Sequence, residues 1–594
     1  MTEKFRLFDL LSNLKQIMPL KEDALAAKEN DTWRKYSTQE YIDTVNYLSY
    51  AFIDLGIKSG DKIGLISNNR PEWNFVDHAC LQTASINAPL YPTISDHDLK
   101  FVVADAQVQY FFVSNADMYH KVKLACDGST VKEIFTFSQV EGARSIHDLI
   151  AIGKSKPQEA KLEEIKASIK PDDLATIIYT SGTTGNPKGV MLSHRNFISN
   201  IIGTEKLCPF QKEWRALSFL PLNHVYERML SYLYLSQGMS IYYAESMDTI
   251  GDNLKEVKPQ IFVTVPRLLE KVYERIVATG TKLTGIKKAL FFWALNLGLR
   301  YEQHGANGWW YEFQLKLANK LIFSKWREAL GGNIVAIASG GSALQPRLAR
   351  VFHAAKIKVL EGYGLTETSP VVAVNTYNEE DIKIGTVGPI ISNVKVKIAE
   401  DGEICVKGPN VMLGYYNHPD LTKETIDEEG WFHTGDIGII EDGKFLKITD
   451  RKKEIFKTSG GKYITPQYIE NKLKESRFIE QAMVIGENEK FPAAFVIPAF
   501  PFLKEWCVKH NITYTTNAEM VKNEEIVKRI MKEVEKTNES LSHHEKIKKI
   551  QLLPTDWSVE KGEMTPKLSL KRKVIMAANK EAYAAIYNFD NGLR

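Results

Sequence analysis

The chain has 594 residues, of which 44% are hydrophobic and 25% charged, and 76 basic against 73 acidic side chains leave a formal net charge of +3. This length exceeds what one hydrophobic core supports and predicts roughly three to five domain-sized units. The balanced charge excludes the composition of a polyanion-binding protein, so we expect no nucleic-acid partner.

The cysteines and the first residues indicate the compartment. The five cysteines show no C-x-x-C pairing, which predicts reduced thiols, a cytoplasmic location and no zinc site. The first twenty residues include several charged side chains and no apolar stretch of the kind that forms the core of a signal peptide, so we expect no signal peptide. No apolar run reaches the ~18 residues that span a bilayer. The sequence therefore predicts a soluble or at most peripheral protein.

The first 140 residues predict strands and helices in alternation. Residues 38–55 carry a helical apolar stripe, residues 60–67 a turn that leads into a strand, and residues 72–82 an amphipathic helix. Further strands are predicted at residues 108–113 and 133–137. Such alternation predicts the α/β class, with a mainly parallel sheet, helices on both faces, and ligands at the carboxyl ends of the strands.

A loop rich in Gly, Ser and Thr follows the predicted buried strand at residues 174–179. Glycine backbones can direct successive N–H groups at an anion, while hydroxyls and a lysine add donors and charge. The candidate phosphate-binding residues are Thr180, Ser181, Gly182, Thr183, Thr184, Gly185 and Lys188. Lys188 precedes Gly189 rather than Ser or Thr, so the loop is not a Walker P-loop. A glycine-rich surface turn is the structural alternative.

Two later predicted strands also end in glycine-containing segments. Residues 333–339 lead into Gly340 and Gly341, and residues 357–360 lead into residues 361–368. Between the first loop and these strands we predict strands at residues 216–220, 240–244 and 260–265. A long segment, residues 287–330, places Trp310, Phe313, Leu317 and Leu321 at helical spacing.

From about residue 385 the predicted secondary structure changes to short β segments separated by Asp-Gly turns. The charge-dense residues 450–454 follow, and we place a domain boundary at residues 451–453. Beyond it the sequence predicts strands at residues 482–486, 493–497 and 547–553, with a lysine-rich helical region at residues 517–546.

Four separated segments resemble, in order and spacing, the motifs of the adenylate-forming synthetases. They are residues 179–189, 362–367, 434–436 and 450–451. The resemblance covers nearly the whole chain. Further segments resemble the long-chain fatty acid:CoA ligase branch, also called the long-chain acyl-CoA synthetases, and the insertion at residues 287–330 suits it. These segments are residues 69–73, 89–92, 221–228, 265–267 and 330–332.

The resemblance implies a fold of two domains and a reaction of two steps. Residues 1–450 would form a large domain of mainly parallel sheets flanked by helices, with a β-rich subdomain at about 385–450. Residues 451–594 would form a small, mobile α+β domain. A fatty carboxylate would attack the α-phosphate of ATP, and the thiol of coenzyme A would then displace AMP. ATP, Mg²⁺ and coenzyme A are the implied cofactors.

The resemblance also assigns roles in the nucleotide site. Lys188 and the loop would bind the β- and γ-phosphates, and Thr184 and Glu367 would hold Mg²⁺. Six further residues would bind the nucleotide: Tyr363 stacked on adenine, Gly340 and Gly341 lining the adenine pocket, Thr366 at the α-phosphate, and Asp436 on the ribose hydroxyls with Arg451 beside it. Taken alone, Glu367 could cap a helix, Asp436 could form an Asx turn and Arg451 could make a salt bridge.

Two implied catalytic side chains are less firmly fixed by the motifs. His224 would lie beside the acyl and thiol route, although a lone histidine is often a satisfied core group. The catalytic lysine best matches Lys571, which follows Leu570 where the family usually has glycine. Lys567 is the competing position. The lysine's proposed role is to bridge the attacking carboxylate and the α-phosphate.

The remaining implied sites belong to the small domain. Lys453 would be the hinge about which that domain rotates. Ser459, Gly460 and Gly461 would face the pantetheine tunnel, with an ordinary β-turn as the alternative.

The sequence leaves the membrane and partner questions open. Residues 287–297 combine cations and aromatics like an interfacial helix. They lack a periodic polar face, which favours a core helix. Peripheral membrane contact, a homodimer and the preferred acyl chain length are not decided. An enzyme that loads a phosphopantetheine carrier, or a catalytically silent nucleotide- and lipid-binding protein, is the alternative function. The presence of Lys571, Glu367 and Asp436 argues against a silent protein.

Overall fold

The computed structural model describes residues 5–180, 186–558, 560–564 and 570–587. Up to the predicted phosphate loop the elements are α1 (Asp9–Ile17), β1 (Leu25–Glu29), β2 (Thr32–Tyr36), α2 (Thr38–Asp54), β3 (Lys62–Ile66), α3 (Pro71–Thr83), β4 (Ile86–Leu90), α4 (Asp96–Ala106), β5 (Val108–Val113), α5 (Ala116–Ala125), β6 (Glu133–Thr136), α6 (Ile146–Ser155), α7 (Glu159–Ser168) and β7 (Leu174–Thr180).

The next elements complete the two large sheets. They are β8 (Lys188–Ser193), α8 (His194–Thr204), β9 (Arg215–Ser218), α9 (Val225–Ser236), β10 (Ser240–Tyr243), α10 (Ile250–Val257), β11 (Ile261–Thr264), α11 (Pro266–Thr281), α12 (Gly285–Leu299), α13 (Trp309–Ala318), α14 (Ser324–Ala329), β12 (Ala336–Ser339), α15 (Pro346–Ala354), β13 (Lys358–Gly364) and β14 (Val371–Val374). A π-helical turn, Asn319–Phe323, joins α13 to α14.

The last third of the chain contains smaller sheets. Its elements are β15 (Lys395–Ile398), β16 (Glu403–Lys407), β17 (Gly414–Tyr415), α16 (Pro419–Thr425), β18 (Phe432–Glu441), β19 (Phe445–Arg451), β20 (Phe456–Lys457), β21 (Tyr463–Ile464), α17 (Pro466–Leu473), β22 (Ile479–Ile485), β23 (Ala493–Pro498), α18 (Phe500–Lys509), α19 (Asn517–Met520), α20 (Glu524–Asn538), β24 (Ile550–Leu552), α21 (Arg572–Ala578) and α22 (Lys580–Tyr587).

Two mainly parallel sheets organise the larger part of the molecule, with antiparallel pairing at one end of the first and at both ends of the second. The seven-stranded sheet has the order β17-β8-β7-β4-β3-β5-β6, and the eight-stranded sheet has the order β14-β13-β12-β11-β9-β10-β1-β2. In the first, β8 and β17 are antiparallel to their neighbours, and in the second β14 and β2 are. The predicted α/β class with mainly parallel sheets and flanking helices is confirmed.

Register brings the ends of three strands together at one edge of the eight-stranded sheet. Ser339 at the end of β12 pairs with Thr264 of β11 and with Glu361 of β13. The chain then leaves β12 through Gly340, whose N–H donates to the Thr264 carbonyl at 3.2 Å. This is the carboxyl edge of the parallel strands, where ligands bind in such folds.

Helix α3 differs from the prediction for residues 72–82. The helix predicted at residues 72–82 is present as Pro71–Thr83, but every one of its residues is buried, so the predicted amphipathic character is wrong. Its polar side chains have internal partners instead of water: Asn74 donates to the Tyr243 hydroxyl at 2.7 Å, and Asp77 pairs with Arg228. Burial of a polar side chain is tolerated when it is hydrogen-bonded in this way.

The predicted insertion forms three helices against one face of the eight-stranded sheet. Helix α12 buries Phe291, Ala294, Leu295 and Leu297, as the core interpretation of residues 287–297 predicts. By contrast, Trp310, Phe313, Leu317 and Leu321 on the following helical segment are exposed. None of the helices in the described residues combines the length and apolarity needed to cross a bilayer.

Smaller antiparallel sheets follow the two large ones. The order β15-β16-β18-β19 forms a four-stranded sheet, and β22-β23-β24 forms a three-stranded one. A separate hydrophobic core, drawn from residues 464–587, includes Ile469, Phe495 and Ile530. Glu480 of this part pairs with Arg267 of α11, and the Lys474 carbonyl accepts from Arg347 at 3.2 Å. The division at residues 451–453 stays a prediction.

Candidate active site

The predicted phosphate loop joins two antiparallel strands. Thr180 at the end of β7 pairs with Lys188 at the start of β8. Ser181, Gly182, Thr183, Thr184 and Gly185 lie outside the described residues, so their phosphate and Mg²⁺ roles stay predictions. Lys188 is half-buried, and its Nζ lies 5.7 Å from the ring centroid of Tyr415 on β17. The lysine therefore projects toward the strand that pairs with β8.

Glu367 is held at this same edge by contacts from residues 412–415. It lies in a short 3₁₀ helix, Thr366–Thr368, directly after β13. Its Oε1 accepts from the Tyr415 hydroxyl at 2.9 Å, and its carbonyl accepts from the Met412 N–H at 2.9 Å. Burial together with the Glu367 charge raises the pKa of Tyr415 well above its usual value, so the phenol stays protonated and donates. Thr366, beside Glu367, is 4% exposed.

The carboxylate of Glu367 fits a hard cation. Oε1 takes the Tyr415 hydrogen bond, whereas Oε2 has no hydrogen bond with a described residue. A carboxylate oxygen with an open lone pair is the ligand type that Mg²⁺ prefers. The Glu367 carboxylate is therefore of a type that suits the predicted metal role, which stays a prediction, and the predicted partner ligand Thr184 lies outside the described residues.

Asp436, Tyr363 and Arg451 form one contact group. Asp436 on β18 and Arg451 on β19 are direct cross-strand partners, and Arg451 Nε lies 3.2 Å from Asp436 Oδ1. Tyr363 from β13 donates to Asp436 Oδ2 at 2.7 Å. The structure thus brings together three residues that the sequence predicts in the nucleotide site.

Opposing effects set the charge of Asp436. Its side chain is 6% exposed, and burial raises the pKa of the carboxyl above its usual value, while Arg451 and the Tyr363 hydrogen bond act in the opposite direction. The pKa of Tyr363 is raised by burial and by the Asp436 charge, so its hydroxyl remains a donor. Both carboxylate oxygens consequently have partners that a pair of ribose hydroxyls could replace.

Gly340 lies against an aromatic ring that the sequence analysis did not single out. A Cβ added at Gly340 would approach Tyr226 Cζ to 3.2 Å, and Gly341 has a φ of +84°. Tyr226 belongs to the 221–228 segment and lies on the first turn of α9, the helix that follows β9. Gly340 therefore lies between the ends of β11 and β12 and the Tyr226 ring, and a Cβ there would require that ring to shift by a few tenths of an ångström.

His224 begins α9 and caps it. Its Nδ1 accepts from the Tyr226 N–H at 3.2 Å, which leaves Nε2 as the ring nitrogen that carries a proton in the neutral form. The structural role of this histidine is visible, and its predicted contact with the acyl or thiol route stays a prediction.

Arg228 anchors α9 beneath the strand that leads to the phosphate loop. The fully buried guanidinium pairs with Asp77 of α3, and donates to Thr176 Oγ1 of β7 at 2.8 Å and to the Tyr232 hydroxyl at 2.9 Å. The Asp77 charge raises the pKa of Arg228 against its burial, so the ion pair is retained. This network fixes α9, α3 and β7 relative to one another, and spacing in the sequence gave no signal for it.

The predicted catalytic lysine lies at the start of α21. Lys571 is exposed, and its N–H donates to the Glu563 carbonyl at 2.8 Å. The next residue, Arg572, pairs with Glu470 at 2.7 Å and Glu454 at 3.0 Å, which fixes the backbone at this point. The competing Lys567 lies outside the described residues. The assignment of Lys571 stays a prediction.

The hinge and coenzyme A candidates are both exposed. Lys453 follows Lys452, which pairs with Asp401 at 2.6 Å and Glu403 at 2.8 Å. Ser459, Gly460 and Gly461 form the turn between β20 and β21, closed by the Gly461 N–H to the Thr458 carbonyl at 2.9 Å. This geometry is that of the ordinary turn considered from the sequence, and a pantetheine role for it stays a prediction.

Comparison with known proteins places this site in a family. Residues 18–416 match the AMP-binding enzyme family, and residues 453–590 match the AMP-binding enzyme C-terminal domain. The long-chain-fatty-acid--CoA ligase FadD15 of Mycobacterium bovis is 32% identical over 94% of this chain and 93% of its own. The peroxisomal long chain acyl-CoA synthetase 6 of Arabidopsis thaliana is 33% identical over 91% of this chain and 80% of its own.

Solved structures agree with the fold. ATP-bound MatB from Rhodopseudomonas palustris superposes with a TM-score of 0.72 at 20% identity, over 98% of this chain and 100% of the other. A Mycobacterium tuberculosis fatty acyl CoA synthetase gives 0.63 at 19% identity, over 98% and 99%. The match of residues 18–416 to the family model and the relatives of 32% and 33% identity show that the chain belongs to the AMP-binding enzyme family, in its long-chain acyl-CoA synthetase branch.

Proposed function

We propose that the protein activates a long-chain fatty acid with ATP and transfers the acyl group to coenzyme A. The observation that carries this proposal is the meeting of Lys188, Tyr415 and Glu367 at the end of the β7–β8 pair, in a chain whose curated relatives are fatty acid:CoA ligases. A cation, a hard carboxylate and its fixed donor at one point suit the charge of a nucleoside triphosphate.

In the first step a carboxylate oxygen of the fatty acid bonds to the α-phosphorus of ATP, and pyrophosphate leaves. This displacement needs positioned charge more than covalent help. Lys188 supports the leaving phosphates, Thr366 the α-phosphate, and Lys571 the approaching carboxylate. Glu367 and Thr184 would hold Mg²⁺, which when bound neutralises charge on the phosphates. Asp436 and Arg451 hold the ribose, and Tyr363 and Gly340 with Gly341 hold the adenine.

In the second step the thiol sulfur of coenzyme A bonds to the acyl carbonyl carbon, and AMP leaves. Lys571 must withdraw before the thiol can approach, so the small domain that carries Lys571 would rotate about a hinge at Lys453. Ser459, Gly460 and Gly461 then face the pantetheine arm, with His224 near the thiol route. A cytoplasmic location belongs to the same proposal and is supported by five cysteines that are all free and buried.

Two assays test the reaction. Pyrophosphate release that depends on a fatty acid separates an enzyme from a silent binding protein, and acyl-CoA formation separates coenzyme A from a carrier protein as the acceptor. Pyrophosphate release without any acyl acid would overturn the proposal.

The lysine assignment has a sharper test. Lys571→Ala should reduce adenylation by roughly 100-fold or more, because it removes a charge used only in that transition state. Thioester formation from supplied acyl-AMP should be largely retained. Lys573→Ala, an exposed lysine two residues away, is the matched control. Equal losses in both half-reactions, or a loss confined to Lys567→Ala, would contradict the assignment.

A further inference from the structure

An exposed apolar ridge runs along α13 and the π-helical turn after it. Trp309, Trp310, Phe313, Leu317 and Leu321 are 79%, 58%, 57%, 42% and 40% exposed. We call these five residues the aromatic ridge. Together they expose on the order of 500 Å² of side chain, as much as the largest apolar patch of a typical monomer. The contact group of Asp436, Tyr363 and Arg451 includes none of them.

The ridge points outward because the opposite face of the same helix is fixed in the core. Tyr311, Leu315, Ala318 and Phe323 are buried, and the Tyr311 hydroxyl donates to the Leu297 carbonyl at 2.7 Å. On the outer face the Trp310 and Phe313 rings stack with centroids 5.6 Å apart, and Trp309 meets Trp310 edge-on at 5.7 Å. The rings are thus held in place by one another and leave their outer faces to the surroundings.

Lysines flank the C-terminal half of the ridge, from Leu317 onward, while the half-buried Glu312 is the charged residue beside its tryptophans. Lys316, Lys320 and Lys325 are exposed on the same helical run, against one exposed acid, Glu328. The Tyr311–Leu297 and Trp293–Gln314 contacts show that α12 and α13 run antiparallel. The exposed start of α12, which contains Ile286, Lys287 and Lys288, therefore lies toward the Leu321 end and adds one apolar and two basic side chains.

We propose that the aromatic ridge docks on the surface of an anionic phospholipid bilayer. Tryptophan, phenylalanine and leucine on one helix face with lysines beside them are the composition of a helix that lies in the membrane interface. The lysines reach anionic headgroups while the rings enter the boundary between headgroups and acyl chains. This choice of partner rests in part on the proposed function, because long-chain fatty acids reside in bilayers.

The charges disfavour a second copy of the chain as the occupant. In a twofold contact centred on the ridge, Lys316, which lies near the midpoint of the ridge, would approach its own counterpart in the other subunit, so like charges would be brought together. Lysine is also depleted in the buried centres of protein interfaces. An anionic lipid surface offers the opposite charge to every one of these side chains.

Vesicle binding by the full-length protein, without ATP, fatty acid or coenzyme A, tests the proposal. The wild type should co-sediment with phosphatidylcholine vesicles that contain roughly a quarter phosphatidylglycerol, and binding should fall as salt increases. Trp310→Ser with Phe313→Ser should weaken this partition by roughly tenfold or more. Leu20→Ser with Met247→Ser, at residues 91% and 56% exposed outside the ridge, is the matched control and should bind like the wild type.

A charge-reversal variant and a mass measurement complete the test. Lys316→Glu with Lys320→Glu should remove the preference for phosphatidylglycerol. Unchanged vesicle binding in both variants overturns the proposal, as does a Trp310→Ser/Phe313→Ser protein that changes only from dimer to monomer in sedimentation velocity. Vesicle binding with no fatty acid:CoA ligase activity would refute the proposed function and leave the docking surface standing.

Discussion

Replacing Tyr415 by phenylalanine isolates one hydrogen bond in the candidate active site. The Tyr415 hydroxyl donates to Glu367 Oε1 at 2.9 Å, and Lys188 lies over the same ring. Tyr415→Phe keeps the ring and its contact with Lys188 but removes the donor. The Glu367 carboxylate can then rotate, and the oxygen that we expect to face Mg²⁺ loses its fixed position.

The size of the effect follows from the type of bond. A hydrogen bond to a charged group contributes about 1.5–3 kcal/mol, and Glu367 is half-buried, so water replaces part of it. We expect a loss of about 1–2 kcal/mol in transition-state stabilisation, which is roughly a five- to thirtyfold fall in kcat/KM for adenylation. The Mg²⁺ concentration that gives half-maximal rate should rise.

The matched control is Tyr416→Phe, the same change one residue along. The Tyr416 hydroxyl makes no hydrogen bond with a described residue, so that variant should keep its rate. Fatty acid-dependent exchange of pyrophosphate into ATP measures adenylation, and thioester formation from supplied acyl-AMP measures the second step. If Tyr415→Phe behaves like Tyr416→Phe in both assays, or lowers both steps equally, the positioning argument is wrong.

Two further predictions concern buried charge. Arg228→Met should lower the unfolding free energy, measured in urea, by about 3–5 kcal/mol, because it leaves the Asp77 charge buried and unpaired. The double variant Arg228→Met with Asp77→Leu should recover most of that loss. An equal loss in the double variant would contradict this explanation. Burial raises the pKa of Glu227 to about 8, whereas the pKa of a glutamate in an unfolded chain is roughly 4.3. Between these two pH values the native protein holds a proton that the unfolded chain has released, so the free energy of unfolding falls as the pH rises. Glu227→Gln should remove that slope and gain up to about 5 kcal/mol of unfolding free energy relative to wild type by pH 9; an unchanged pH profile of urea unfolding would refute it.

Strand positions were accessible from the sequence because each buried strand is a short apolar run. The predicted strand at residues 174–179 is β7, and the runs before Gly340 and before residue 361 are β12 and the start of β13. The position of helix α3 was accessible in the same way, but its complete burial was not. Its charged and polar residues imply a wet face until Arg228 and Tyr243 arrive from α9 and β10, far along the chain, to satisfy them.

The residues of the candidate site likewise fall into those that the sequence indicates and those that only the structure reveals. Lys188, Glu367, Tyr363 and Asp436 lie in motifs whose spacing the sequence displays. Tyr415 and Tyr226 do not, because each acts through a single contact made by strand pairing or by the start of a helix. The Tyr415 contact depends on the pairing of β17 with β8. Because β17 is only two residues long, the sequence does not predict this strand or its pairing. Long-range partners of this kind become visible only once the register is known.

The anchors on either side of Lys453 give a physical reason for a hinge there. Arg451 and Lys452 are tied to the four-stranded sheet by Asp436, Asp401 and Glu403, and Glu454 is tied to Arg572 next to Lys571.

The side chain of Lys453 makes no hydrogen bond or ion pair with a described residue. Rotation at this one residue would move Lys571 with Glu454 while leaving Asp436 and its tyrosine in place. In the proposed reaction, the predicted nucleotide contacts would then persist while Lys571, the lysine proposed for the first step, withdraws, which a two-step reaction on one bound adenylate requires.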